Sequence, residues 1–344
     1  MLELHEASGA FRELERYLEG ESFWTREGAV ADLYLGYGLS AAIRRESKPP
    51  PPEPCVLPLL ACRIRTGPSS RMTDTFRIGT WERTWADDRY AEAIESVRAA
   101  IARGDVYQVN LVRHLSAAFD GDPLALTVAL APLRPLAPAP LAGDGWTIVS
   151  ASPELFLRRR GQVVLTMPIK GTVAEARDSE LLHSAKNAAE HVMIVDLERN
   201  DLSRICEPGS VRWPELMAER ELAGVVHLVS NVEGTLRKDV GLAELLEATF
   251  PGGSVTGAPK IAAVDHIAAL EPVGRGASMG ALGSLYPNGD LDLALTIRTF
   301  AVADDRIHLW VGGGIVWDSD PEEEIEESWV KARPLLNALE VCVA

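Results

Sequence analysis

The chain has little lysine. Of its 34 basic residues only six are lysines, at positions 48, 170, 186, 238, 260 and 331, against 28 arginines. Arginine therefore carries the ordinary surface charge. The few lysines become candidates for work arginine cannot do, because an arginine stays protonated while a lysine can lose its proton and act as a nucleophile. Cysteine is scarce as well. Cys55, Cys62, Cys206 and Cys342 form no CxxC pair and have no histidine at zinc-finger spacing. They read as reduced thiols of a cytosolic protein. No apolar run is long enough to cross a membrane; residues 128–141 come nearest, and Arg134 and several prolines break them. The opening MLELHEASGAF carries acids early and lacks an uninterrupted apolar stretch, so no signal peptide is expected. Basic clusters are missing too. At a net charge of −16 the one short run, Arg158–Arg160, reads as a solvated hairpin end, and nucleic acid is not an expected partner.

What is present is ordinary globular material: 47% hydrophobic and 24% charged residues over 344 positions, enough for one large domain or two smaller ones. The clearest seam is KPPPPEPCVLP at 48–58, where consecutive prolines favour an extended chain. The expected organisation is a short N-terminal subdomain (1–47), a proline-rich connector and link (48–79), and a catalytic body (80–344). In that body Tyr90, Ile94, Val97 and Ile101 form a helical stripe ending at Gly104. Residues 106–115 read as a strand, and 146–169 as two strands around a turn at 160–162. Residues 178–199 read as a helix capped by Asp178, with Val192, Val195 and Leu202 in the core. Asn288-Gly289 and Asp304-Asp305 read as tight turns between apolar β-runs. Tight turns imply antiparallel pairing, so the fold class is α+β rather than a doubly wound parallel sheet.

Several residues carry chemistry. At the C-terminus, Asp320 is a cap, Pro321 fits the first helical position and Glu323 suits a capping box, with Ile325, Trp329, Ala332 and Leu336 as the expected buried stripe. Glu324, Glu327 and Lys331 share another face. Those glutamates either complement the helix dipole or hold a hard divalent cation, which prefers oxygen ligands. Glu190 sits in an apolar setting and pairs either with Lys186 or with such a cation. PGGSVTGAPK at 251–260 lacks the Gly-Lys-Ser/Thr of a nucleotide phosphate loop. Its backbone amides, like those of VGGGIV at 311–316, could hold a carboxylate. Arg298 lies within LALTIRTF, read as one apolar strand, and needs a carboxylate partner, internal or from a ligand. Together these residues describe a site for a small polyanionic acid.

The motifs GDVYQVNL, SPELFLR, PIKGT, EHVMIVDLERNDLSRIC, HLVSNVEGTL, FPGGSVTGAPK, TIRT and GGGIVWDSDPEEEIEESWVKAR closely resemble those of the chorismate-utilising enzymes. That family takes in anthranilate synthase component I, aminodeoxychorismate synthase component I, isochorismate synthase and salicylate synthase. The resemblance covers roughly residues 87–338. It implies a two-layer antiparallel β-sandwich flanked by helices. It implies that Glu190, Glu324 and Glu327 bind Mg²⁺, which holds the ring carboxylate of chorismate. Arg298, Tyr286, Lys331 and the Gly313 and Gly314 backbone would grip the enolpyruvyl carboxylate. Glu154 would be the general acid for the departing C4 hydroxyl, and His227 and Thr256 would contact the ring; outside the family His227 reads as a core histidine.

Two positions bear on the reaction. Water-adding relatives carry a lysine base where this chain has Gln108, and glutamine cannot take a proton from water. Anthranilate synthases typically read PIAGT where this chain reads PIKGT. Lys170 is similar to the lysine of aminodeoxychorismate synthase, thought to attack C2 before ammonia enters at C4. The expected product is then 4-amino-4-deoxychorismate, on the route to para-aminobenzoate and folate. No cysteine sits in a glycine-flanked nucleophile elbow, so ammonia would come from a separate glutamine amidotransferase subunit. The N-terminal part is short for the family and shows no Leu-Glu-Ser motif of the kind linked with tryptophan inhibition. The rival readings are anthranilate synthase component I and, from another class, a non-catalytic chorismate-binding regulatory protein.

Overall fold

A computed structural model describes residues 1–67, 75–173, 185–222 and 225–340. Along the chain the strands are β1 (Leu2–Leu4), β2 (Ala29–Leu35), β3 (Leu60–Thr66), β4 (Phe76–Ile78), β5 (Glu82–Arg83), β6 (Gln108–Gly121), β7 (Leu141–Ala142), β8 (Trp146–Ser150) and β9 (Leu155–Arg160). Then come β10 (Val163–Met167), β11 (Ile169–Val173), β12 (Arg212–Leu222), β13 (Val225–Thr235), β14 (Gly257–Ala258), β15 (Ala281–Leu285), β16 (Leu291–Leu295), β17 (Thr299–Ala303) and β18 (Arg306–Ile315). The helices are α1 (Ala10–Gly20), α2 (Asp87–Arg103), α3 (Leu126–Leu130), α4 (Ala185–Ser203), α5 (Leu242–Thr249), α6 (Lys260–Leu270) and α7 (Pro321–Glu340).

Among the described residues the strands make two antiparallel sheets. The larger runs β1-β3-β2-β15-β16-β9-β10-β13-β11, with β12 also on β13; the smaller runs β14-β6-β18-β17-β8-β7, with β4 and β5 also on β6. One hydrophobic cluster draws Leu157, Leu282 and Leu293 from the larger sheet and Leu111, Ile148 and Trp310 from the smaller. The sheets therefore face one another across a shared core, as the expected α+β sandwich requires. A second cluster packs Leu115, Ala117 and Phe119 of β6 against α3 and the α7 residues Ala332, Leu335 and Leu339. Each fully buried large side chain of these clusters contributes about 2–3 kcal/mol. Residues 1–47 and the connector supply β1, β2 and β3, and β2 pairs directly with β15. The N-terminal part is thus built into the larger sheet rather than standing beside it.

The expected helix at 88–103 is α2, closed by Gly104 at φ 82°. The tight turns hold as well: Gly289 at φ 83°, and Asp304 and Asp305 at φ 53° and 57°. Two readings need correction. Residues 146–169 form β8, β9 and β10 with the start of β11, not two strands, and β8 and β9 lie in different sheets. LALTIRTF is likewise two strands, because β16 ends at Leu295 in the larger sheet and β17 starts at Thr299 in the smaller. Continuous apolar content hid both breaks, since each half is buried. The two crossings, 151–154 and 296–298, are tied together: Ala151 N donates to Arg298 O at 2.9 Å and Leu295 N to Glu154 O at 3.0 Å. We call this the seam. Arg298 adopts φ 50° there, a left-handed conformation that costs a non-glycine residue about 1–2 kcal/mol.

Candidate functional site

One part of the site is a ridge of bare backbone on β18. Gly312, Gly313 and Gly314 pair with Val112, Leu111 and Asn110 of β6. A Cβ on Gly313 would lie 3.3 Å from Glu324 Oε2, 3.4 Å from Lys331 Nζ and 3.5 Å from Glu327 Oε1. One on Gly314 would lie 1.9 Å from Gln108 Nε2 and 2.8 Å from Glu190 Oε1. Five side chains named from the sequence therefore converge on two glycines. Helix α7 aims three of them. Asp320 Oδ1 caps it, accepting from Glu322 N at 2.9 Å and Glu323 N at 3.2 Å. Its most buried face is Glu324, Ser328, Ala332, Leu335 and Leu339; of the expected stripe Ala332 is on it, while Ile325, Trp329 and Leu336 fall beside it, partly buried. Trp329 instead sits partly exposed under the guanidiniums of Arg113 and Arg83, at 5.0 and 5.8 Å. That rotation brings Glu324 inward, where it accepts from Ser319 Oγ at 2.6 Å.

The polar bonds of the ridge are local. Lys331 Nζ pairs with Glu327 Oε1 at 2.6 Å and donates to Gly312 O at 3.0 Å. Gln108, fully buried, donates to Glu190 Oε1 at 3.0 Å, and its own Oε1 has no hydrogen-bond partner. Gln108 is thus one partner of Glu190, which has a further interaction besides; the side chain of Lys186 lies outside the described residues. An all-oxygen carboxylate set around a backbone cradle that a Cβ would fill suits a hard cation. As they stand, no three His, Cys, Asp or Glu side chains among the described residues are at metal-binding spacing. Glu190, Glu324 and Glu327 each already have interactions, so a cation would have to draw them together.

The second part is the seam. Glu154, 4% exposed, accepts from Ser254 Oγ at 2.7 Å and lies 3.4 Å from Ile169 N. Burial pushes the Arg298 guanidinium below its ordinary value, and the Glu154 carboxylate beside it opposes that shift. Here lies a group the sequence reading passed over. Glu198, 7% exposed, accepts from Thr166 Oγ1 at 2.9 Å, and burial first, then Glu154, pushes its carboxyl up to about 8. Asp201, a turn further on, pairs with Lys260 Nζ at 2.5 Å. The signal was available. Helix α4 buries His191, Ile194, Val195, Glu198, Asp201 and Leu202, so two acids lie on an apolar stripe at helical spacing. Val192, expected in the core, is 47% exposed, because it falls on the opposite side of that stripe.

The glycine-rich loop links ridge and seam. Ser254 holds Glu154, while Gly257 and Ala258 pair with Val109 and Gln108. At Gly257, φ 127°, a Cβ would lie 2.2 Å from Gln108 O, so only glycine lets the loop approach β6. Thr256 is fully buried, its carbonyl bonded by Asn110 N at 2.9 Å. Helix α4 spans the same gap, with Glu190 at the ridge and Glu198 at the seam about 12 Å along its axis.

Tyr286 does not join them. It begins the turn at the far end of the β15–β16 hairpin, five residue pairs from the Ala281↔Leu295 end next to Arg298, or roughly 15 Å. It lines an open depression with Glu27, Arg160 and Asn288. Lys170 and His227 lie on paired strands, with Lys170 opposite Leu228 and His227 opposite Thr172. Their side chains lie outside the described residues, as do Asp178 and Cys342. Cys55, Cys62 and Cys206 are buried and free, their thiols pushed up to about 12, 12 and 11 chiefly by burial. Among the described residues no helix is long and apolar enough to cross a membrane.

A two-sheet sandwich whose crossings carry an acid and an arginine, opposite a carboxylate-lined glycine ridge, defines the class. The family model for chorismate binding enzymes matches residues 43–337, and the chain belongs to that family. It is 38% identical over 275 residues to aminodeoxychorismate synthase component 1 of Bacillus subtilis, covering 76% of this chain and 58% of the relative. It is 42% identical over 269 residues to anthranilate synthase component 1 of Thermus thermophilus, covering 75% and 58%. The chain thus spans about three-fifths of the length of these relatives. The crystal structure of anthranilate synthase component I from Streptococcus pneumoniae superimposes with a TM-score of 0.80 at 27% identity, covering 92% of this chain and 84% of that one.

Proposed function

We infer that the protein joins ammonia to chorismate and forms 4-amino-4-deoxychorismate. The observation that carries the reading is the convergence of Glu190, Glu324, Glu327, Lys331 and Gln108 on the bare backbone of Gly313 and Gly314. Glu190, Glu324 and Glu327 would hold Mg²⁺, which when bound supplies positive charge for the ring carboxylate. Lys331 and Arg298 bring the remaining cationic charge, and the Gly313 and Gly314 backbone would add its amides. Gln108 has no base to offer water, which disfavours a hydroxylated product.

In this reading the Lys170 amine, neutral when it attacks, bonds to C2. The ring double bonds shift, the C4–O bond breaks, and Glu154 gives the departing hydroxyl its proton, so that water leaves. Ammonia then bonds to C4, the double bonds shift back, and the C2–N bond to Lys170 breaks. Covalent catalysis of this kind divides one difficult displacement into two easier ones. What supports the choice of product is PIKGT; the relatives of both names are similarly identical and do not decide it. Ammonia would come from a glutamine amidotransferase subunit. The test is incubation with chorismate, Mg²⁺ and ammonium, with mass detection of products. Wild type should give the 4-amino compound, and Lys170→Ala should lose at least about 10²-fold in rate. Anthranilate formed directly by the wild type would favour the second reading, anthranilate synthase component I.

A further inference from the structure

The mechanism above leaves Glu198 without a task, although burying a carboxyl is costly. Three observations place it with Glu154. Both side chains are nearly inaccessible, at 7% and 4%. Both flank one two-residue stretch of the glycine-rich loop: Ser254 donates to Glu154, and a Cβ on Gly253 would lie 3.5 Å from Glu198 Cγ. Both are tied to one stretch of the larger sheet, Glu198 through Thr166 and Glu154 through Ile169 N. The other charged groups are partly committed. Lys260 faces Glu198 from the start of α6 but is bonded to Asp201 and Thr249 O, and Arg298 faces Glu154. Lys170 follows Ile169 in the chain.

We propose that Glu198 is a positioning residue for Glu154, the two buried carboxyls sharing a single proton across Gly253 and Ser254 at neutral pH. The inference rests on Glu154 being the general acid. Arg298, Ser254 and the Ile169 amide all favour an ionised Glu154, and an ionised acid has no proton for the departing hydroxyl. A second carboxyl in the same dry pocket changes that. Two such groups cannot both ionise cheaply, so the pair keeps one proton to higher pH than Glu154 would alone, and its titration belongs to the pair rather than to either residue. The upward displacement of the Glu198 carboxyl, in which Glu154 is the largest influence after burial, agrees with this.

The test is the pH dependence of kcat/KM together with the infrared signal of protonated carboxyl groups, for wild type, Glu198→Gln and Thr166→Val. Wild type should show a protonated carboxyl at pH 7. Glu198→Gln should lose it, and its alkaline limb should move down by about one unit or more, giving about a tenfold deficit at pH 8 and near-wild-type values at pH 6. Thr166→Val removes a donor to the ionised form, so its limb should move up; it keeps the question open if Glu198→Gln fails to fold. A wild type without the signal, a Glu198→Gln enzyme that keeps it, or a uniform loss of activity at every pH overturns the proposal. If the infrared signal moves as described and the kinetic limb does not, the pair stands and the assignment of Glu154 as the acid falls.

Discussion

Ridge and seam use the same side chain for opposite ends. At the ridge, glutamates border bare backbone and have local partners of modest reach: a lysine one turn on, a serine, a primary amide. Glu327 is half exposed. Such carboxylates border the open backbone, where a cation would have to draw them together. At the seam, Glu154 and Glu198 are walled in between the sheets and α4, and the dry surroundings hold a proton there. What a glutamate does is decided by what packs against it. Glycines open the first environment and the strand crossings close the second.

The largest expected effect strikes the ridge alone. Gly314→Ala puts a methyl 1.9 Å from Gln108 Nε2 and 2.8 Å from Glu190 Oε1, so the fully buried Gln108 and the Glu190 it is bonded to must both shift. The fold should persist, because the cost falls on a cradle rather than the core. Turnover should drop by about 10²-fold or more, as displacements of about 1 Å at a positioning group do. A Gly314→Ala enzyme with wild-type kcat/KM would remove the ridge from the chemistry.

Next in size is Glu324→Gln. It leaves Ser319 an acceptor but takes one charge from the proposed cation set. The Mg²⁺ concentration for half-maximal activity should rise about 10- to 100-fold, with the alkaline limb of the pH profile unmoved. A changed limb would mean that ridge and seam are not separate environments.

The seam makes its own prediction in stability. The Glu198 carboxyl lies near 8 when folded, against 4.5 for an ordinary one. Between those values the folded chain holds a proton that the unfolded chain has released. Stability should therefore fall as pH rises from about 5 to 8, by up to about 4 kcal/mol. Glu198→Gln should flatten that fall and be the more stable protein at pH 8, as denaturant unfolding at several pH values would show. His114 and His308 act in the opposite direction. Burial holds their rings down to about 3 and about 4, so their contribution is lost as pH drops below 6.5.

The ridge was more legible in sequence than the seam, for a physical reason. Glu324, Glu327 and Lys331 follow from helical spacing within one segment, and Gly312–Gly314 is conspicuous in an apolar strand. The seam is assembled from four distant segments. Its two crossings sit inside runs of buried residues, where hydrophobicity is continuous and periodicity gives no warning. Glu198 was readable as an acid on the apolar stripe of α4, but its partner Glu154 lies 44 positions earlier and only the fold brings them together. Tyr286, which the resemblance grouped with Arg298, is only 12 positions from it in sequence, yet the β15–β16 hairpin carries it to the other end.

The smallest effect tests the separation most directly. Asp320 caps α7 through two backbone N–H bonds, so Asp320→Ala should cost about 1 kcal/mol of stability. The first turn it secures carries Glu324, with Glu327 a turn behind, while nothing in the seam rests on it. Fraying there should raise the Mg²⁺ requirement a few-fold and leave the alkaline limb in place. The bond that Glu324 N donates to Asp320 O, 3.0 Å, means the backbone can still start the helix without the side chain, which keeps the expected loss small. A shift of the alkaline limb in Asp320→Ala would show that α7 and α4 move together, and the two environments would then have to be treated as one.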